Sequence, residues 1–269
     1  MRVTVLGSGS RGNAIVVEGG GMRVLVDAGF SPRALQARLA AARMAPESID
    51  ALLLTHEHTD HASGAADAVA RWGWPVVATA GTFAALPALR EASRMVLTAT
   101  SALALGALDV AAVPIAHDAR EPVALVLADR HSGARAAIAL DLGRAPDDFA
   151  QALGPLDLLV IEANHDAQRL ADGPYPAMLK RRISGGSGHL SNAQTAHLLG
   201  ACARVGLGAV ILAHLSETNN TPELALGAVR PALRAAGWRT RALHVATQGA
   251  VLHPVASAQR DARQLALDL

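Results

Sequence analysis

The chain has 269 residues, 51% of them hydrophobic and only 3% aromatic, with a formal net charge of +1. That length suits one large α/β core, built from Ala, Val, Leu and Ile rather than from rings, and the charge balance excludes a global field for nucleic acid, so any basic surface is local. A single cysteine, Cys202, excludes a disulfide framework and a thiolate metal cluster. No apolar run reaches the ~18–20 residues of a membrane span, and Met1 to Leu6 reads as a strand, not a signal peptide. The expectation is a soluble cytoplasmic protein.

Arg2–Leu6, Ala14–Glu18 and Met22–Val26 read as strands, the last two joined by Gly19-Gly20-Gly21 as a hairpin. The Ser8–Asn13 loop either cradles a phosphate through its backbone N–H groups, with Ser10 and Asn13 touching substrate, or is a plain connection. Ser31-Pro32 caps and opens a helix running to about Arg43. Ala51–Leu54 is a buried strand; a helix over 64–71, a strand over 75–78 and a short helix ending before Arg94 follow. Residues 96–98, 102–105, 109–115, 123–128 and 134–140 read as strands, with a hairpin turn at 129–133. Further strands are expected over 156–161, 208–212 and 239–246, and helices over 191–205, capped by Ser191, and 222–236. The reading is one domain over residues 1–253 and a polar tail over 254–269.

The chemistry gathers in Thr55-His56-Glu57-His58-Thr59-Asp60-His61, at the end of the Ala51–Leu54 strand. His56 and His58 can converge on one cation, Asp60 and His61 on a second; imidazole suits zinc and carboxylate suits harder ions, so the mixture fits a dinuclear site. Ligand-type residues recur at strand ends: His117, Asp141, His165 and His214. A scaffold that ends several strands at one edge brings such residues together.

The H-x-H-x-D-H pattern resembles the signature of the metallo-β-lactamase superfamily. The resemblance implies an αββα sandwich of two mixed sheets with helices outside. It implies His117 as the third ligand of the first metal, Asp141 as the bridge and His214 as the last ligand of the second. Ser10-Arg11-Gly12-Asn13, Leu25-Val26-Asp27-Ala28-Gly29, Glu162-Ala163-Asn164-His165-Asp166, Gly188-His189-Leu190-Ser191-Asn192 and His214-Leu215-Ser216-Glu217-Thr218-Asn219-Asn220 resemble the bacterial YycJ/WalJ-type branch. That branch implies a metal-dependent 5′-to-3′ DNA exonuclease linked to mismatch repair, using two Zn or Mn ions. Leu140 stands before Asp141 where related sequences often carry Thr.

Other residues carry two readings each. Lys180-Arg181-Arg182, the densest basic cluster, either meets substrate phosphates, through Lys180 and Arg181 in particular, or forms a solvated helix face. His189 contacts the scissile phosphate or protonates the leaving oxygen, or else supports a ligand. Asn164 and His165 either line the site or orient ligands; His197 reads as packing. The terminal Gln264-Leu265-Ala266-Leu267-Asp268-Leu269 resembles the peptide by which bacterial proteins dock on the DNA sliding clamp, or is an ordinary amphipathic tail. The alternative activity is hydrolysis of a small lactone, thioester or cyclic phosphodiester on the same fold.

Overall fold

The computed structural model describes residues 1–239 and 242–257. The N-terminal half builds a seven-stranded sheet from β1 (Arg2–Gly7), β2 (Ala14–Gly19), β3 (Met22–Val26), β4 (Ala51–Leu53), β5 (Val76–Ala78) and β6 (Arg94–Val96). The second sheet, also of seven strands, holds β7 (Leu103–Leu105), β8 (Leu108–Pro114), β9 (Val123–Asp129), β10 (Arg135–Ala139), β11 (Leu156–Glu162), β12 (Leu207–Ala213) and β13 (Leu243–Val245). The last strand, β14 (Leu252–Ala256), returns to the first sheet and pairs antiparallel with β1, Val3 facing Val255.

Alternation along the strands explains the layers. Val3, Val5, Ile15, Val17, Val24 and Val26 point inward and meet Leu125, Leu127, Ile138, Leu158, Val160 and Ile211 of the other sheet. The intervening residues face outward. Leu6, Val16 and Leu25 meet α1 (Pro32–Ala41) through Leu35 and Leu39, while Leu159, Ile161 and Leu212 lie under α8 (Asn192–Val205) and α9 (Pro222–Ala235). Strands of the two sheets are thus apolar on both faces, as buried parallel strands are. Each fully buried Val, Leu or Ile contributes roughly 1.5–3 kcal/mol, so a nearly ring-free core suffices. Cys202 is in that core, where burial pushes its thiol up to about 11 and leaves it unreactive.

Pairing directions set the functional edge. β3, β4, β5 and β6 run parallel, as do β10, β11, β12 and β13. β1 reaches β3, and β8 reaches β10, through two antiparallel steps each. The C-terminal ends of all these strands therefore open at one edge, the usual place for a site in an open α/β sheet.

Several elements differ from expectation. The histidine-rich stretch contains a single helical turn, α2 (Thr59–Ala62), before α3 (Ala65–Trp72). The strand expected over 96–98 lies at Arg94–Val96, because Val76 to Ala78 pair in register with those residues. The helix at 81 is α4 (Ala80–Ala85), capped by the Thr79 hydroxyl. Two short helices were not expected, α5 (Phe149–Leu153) and α6 (Ala167–Asp172), and the basic run lies on a third, α7 (Ala177–Ile183). In β14 Val255 is buried against the inter-sheet core, and Pro254 is tolerated because β14 is an edge strand. His197 does not pack inward but is exposed on α8. The Gln264–Leu269 peptide lies outside the described residues. No helix among the described residues is long and apolar enough to cross a membrane.

Candidate metal centre

Two loops clamp the histidine-rich turn. The Asn13 amide donates to the Asp60 carbonyl at 2.7 Å and the Ala28 amide to the His61 carbonyl at 2.7 Å. Gly29 is required here, because a side chain would run into the Asp60 carbonyl. Across the cleft Gly143 lets the loop before His189 approach, its Cβ position being filled by the Gly186–Ser187 backbone. Asp27, Asp141 and His214 all adopt positive φ, at 61°, 56° and 53°. Strain of this kind on non-glycine residues concentrates at functional sites.

The seven expected ligands come together as two groups. His56, His58, His117 and Asp141 offer ligand atoms within 4.8 Å of one another, as do Asp60, His61, Asp141 and His214. Asp141, buried between them, belongs to both. Each imidazole is tied behind by one nitrogen and presents the other. His56 Nδ1 lies 3.1 Å from the Thr55 hydroxyl, His58 Nε2 meets the Asp118 carbonyl at 3.2 Å, and His117 Nδ1 meets the Gly188 carbonyl at 3.1 Å. In the second group the backing is charged. His61 Nδ1 meets Asp27 Oδ2 at 2.7 Å, and His214 Nδ1 meets Glu162 Oε1 at 3.1 Å. The Asp27 carboxylate also accepts from the Thr55 amide and hydroxyl, and Glu162 Oε2 accepts from the Leu142 amide. Such partners fix tautomer and ring orientation in metal sites.

The donor set fits divalent cations. His56 Nε2 and Asp141 Oδ1 are buried and make no hydrogen bond, although Asp141 Oδ2 is 3.2 Å from that nitrogen. Buried polar atoms are rarely left unpaired, and the pair is close yet misaligned for a hydrogen bond, as ligands of one shared ion are. The charges agree. Burial lowers His61, but the Asp141 and Asp27 carboxylates outweigh it and raise the imidazole to about 10. Burial raises Asp60, but the His214 hydrogen bond and the His61 charge bring it down to about 2. In the first group burial dominates and lowers His117 to about 4. Five imidazoles with two carboxylates form a set in which zinc and harder first-row ions are both at home.

A cavity of about 180 Å³ opens over these groups, lined by Ser10, Asp118, Leu179, Arg182, Gly188 and His189 together with His58, Asp60, His117, Asp141 and His214. His189 Nδ1 is held by Glu162 Oε1 at 2.7 Å. Burial lowers this imidazole, but the Glu162 and Asp141 carboxylates raise it to about 9. A third close grouping, Asp141, Glu162, His189 and His214, is the hydrogen-bonded support of the second, since the Glu162 oxygens already bond both imidazoles and two backbone amides.

The other expected substrate contacts divide. Ser10 lines the cavity. Asn13 is fully buried and its side-chain amide donates to the Asp60 carbonyl at 3.2 Å, so it supports the ligand turn. Asn164 is buried behind His214 and donates to its carbonyl at 3.0 Å. His165 is buried, bridged to Ser191, and away from the cavity lining. Lys180 donates to the Ala171 carbonyl, which ties α7 to α6, and Arg181 is exposed; Arg182 is the member of that basic run that faces the cavity. The sequence reading named Arg182 only as a member of the basic cluster, behind Lys180 and Arg181, and missed Asp118, Asp27 and Glu162 as site residues. Asp27 and Glu162 could have been found as acidic residues ending apolar strands, the signal that located Asp141.

The comparisons agree with this geometry. A family model described as a beta-lactamase superfamily domain matches residues 22–215. The chain is 30% identical over 242 residues to exodeoxyribonuclease YycJ of Bacillus anthracis, covering 88% of this chain and 91% of that protein. It is 32% identical over 231 residues to exodeoxyribonuclease WalJ of Streptococcus pneumoniae serotype 2, covering 83% and 85%. In fold it is similar to unliganded yeast PDE1, with a TM-score of 0.70 at 13% identity, covering 94% of this chain and 99% of that one. The ligand groups at the shared strand edge and the family match lead to one conclusion: the chain belongs to the beta-lactamase superfamily and is a metal-dependent hydrolase.

Proposed function

We propose that the protein is a dinuclear phosphodiesterase, a 5′-to-3′ DNA exonuclease that acts in the cytoplasm in DNA repair. The observation that carries this reading is the pair of His/Asp groups joined through Asp141. The names of the two relatives, aligned over most of the chain, support DNA as substrate. When bound, two divalent ions, zinc or manganese, would polarise the phosphoryl oxygen, activate water and neutralise developing charge. The residues of the chain do the rest. His56, His58 and His117 would hold one ion, and Asp60, His61 and His214 the other, with Asp141 shared. Asp60, hydrogen-bonded to His214 at 3.2 Å, keeps its orientation for the attacking water. His189, protonated through Glu162, gives its proton to the leaving oxygen. The same reading includes docking of Gln264–Leu269 on the sliding clamp, tested by whether deleting these six residues abolishes binding to purified clamp.

A second reading rests on the size of the cavity. About 180 Å³ accommodates a small ester or cyclic phosphate without a polymer. A time course separates the two: protein stripped and reloaded with Mn²⁺ or Zn²⁺ is incubated with 5′- and 3′-labelled DNA and RNA, single- and double-stranded, beside Asp60→Ala. Metal-dependent release of mononucleotides from the 5′ end, lost in the variant, is the expected result. Absence of cleavage with any metal, alongside turnover of lactone or cyclic-phosphate substrates, overturns the exonuclease reading.

A further inference from the structure

The rim of the cavity holds one charged pair that the metal chemistry does not use. Arg182, in the last turn of α7, reaches Asp118 with Nε at 2.9 Å and Nη2 at 2.8 Å. Both nitrogens grip the same oxygen, Oδ2. Asp118 Oδ1 points the other way, 3.4 Å from His117 Nε2 and 3.7 Å from His58 Nε2. His117 Nε2 is the nitrogen left facing the ion group once Nδ1 is committed to Gly188. The carboxylate of Asp118 therefore occupies an anion position defined on one side by a guanidinium and on the other by the imidazole edges of the first ligand group.

We propose that Asp118 is an internal stand-in for the substrate's phosphate, and that a phosphodiester binds by replacing it as the partner of Arg182. The inference rests on the phosphodiesterase reading for its choice of substrate. Four observations carry it. Arg182 and Asp118 both line the cavity over the ligand groups. The pair is accessible, with side-chain exposures of 65% and 36%, and an ion pair this exposed contributes little to stability, so exchange is cheap. The guanidinium fork is only half matched by one carboxylate oxygen, whereas two non-bridging phosphate oxygens fill it with parallel hydrogen bonds. Finally, no residue of α7 is buried, so the helix can adjust while its partner changes. Asp118 then sets selectivity: a weakly charged ligand does not displace it, a phosphate does.

The two partners consequently have opposite effects on substrate binding, which a structural ion pair does not. The test is fluorescence anisotropy of a dye-labelled phosphorothioate single-stranded oligonucleotide against metal-loaded protein, and again after chelation. The proteins are the wild type, Arg182→Ala, Arg182→Lys and Asp118→Asn, with bound metal counted by mass spectrometry and folding checked by circular dichroism. Arg182→Ala is expected to weaken binding about tenfold, with Arg182→Lys in between. Asp118→Asn is expected to tighten binding several-fold. The slope of affinity against salt should fall by about one phosphate contact in Arg182→Ala. Equal weakening in Arg182→Ala and Asp118→Asn, no change in either, or no oligonucleotide binding by the wild type overturns the inference. Absence of DNA cleavage alone counts against the exonuclease reading and leaves the opposite-sign signature to decide this one.

Discussion

The two ligand groups of the centre are alike in donors and unlike in what stands behind them. The imidazoles of the first group rest on neutral partners: the Thr55 hydroxyl and the carbonyls of Asp118 and Gly188. Those of the second rest on buried carboxylates, Asp27 and Glu162. The second group also contributes its own carboxylate, Asp60, in addition to the shared Asp141. A carboxylate behind an imidazole raises its basicity and fixes its orientation more firmly than a carbonyl does. Burial and the neighbouring imidazoles lower His56 and His117 although Asp141 pulls both upward, whereas at His61 and His214 Asp141 together with the other carboxylates of the second group outweighs burial and raises them. One half of the centre is therefore an imidazole-rich site of low charge, the other a carboxylate-rich site of high charge. This is an arrangement in which two ions of different hardness can sit side by side.

Breaking the bridge should do most damage. Asp141→Ala removes the one residue both groups share, and a loss of about 4 kcal/mol of transition-state stabilisation would lower kcat/KM roughly 10³-fold; steady-state kinetics with metal content measured in parallel check this. The backing carboxylates come next. Glu162→Gln disturbs both His214 and His189, and a loss of about 10–100-fold in metal affinity or activity is expected. Asp27→Asn touches only His61 among the imidazoles and should fall at the lower end, about 10-fold. Competition with a chromophoric chelator orders the two. If Asp27→Asn proves the more harmful, the two-imidazole role of Glu162 is wrong.

The smallest effect is a control away from both groups. Burial raises the Asp129 carboxyl, but the Ser132 hydroxyl and the backbone amides of the 129–133 turn outweigh it and hold it at about 2. A folded value below the unfolded one, about 3.9, means the contribution to stability is present above pH 4 and is lost as pH falls toward 2. Asp129→Asn should lower Tm by a few degrees at pH 7, and the difference from the wild type should shrink as pH falls from 4 to 2. Metal occupancy should not change. Thermal melts across that range check the sign.

The contrast between the groups also explains what the sequence reveals. His56, His58, Asp60 and His61 lie in one short turn, so their spacing alone identifies them. His117, Asp141 and His214 each end a different strand; that setting marked them as candidates along with His165, and the superfamily resemblance singled them out as ligands. Asp27 and Glu162 end strands too, but an acidic residue at a strand end is equally a surface residue until the fold places it under an imidazole. Arg182 was legible only as part of a basic run. A helix of seven residues has too few turns for its periodicity to say which of Lys180, Arg181 and Arg182 faces the cavity. The two-sheet architecture was what the superfamily resemblance implied. The short helices α5 and α6, of five and six residues, are too short to show a helical period, and α7 was legible only as one alternative for the basic run because it buries no residue.

The most direct measurement is anomalous diffraction from crystals grown with Mn²⁺ or Zn²⁺. The expected result is two anomalous peaks about 3.5–4 Å apart, bridged by the Asp141 carboxylate, with His56, His58 and His117 on one ion and Asp60, His61 and His214 on the other. A single ion, or an ion held by Glu162 and His189, would contradict the two-group centre.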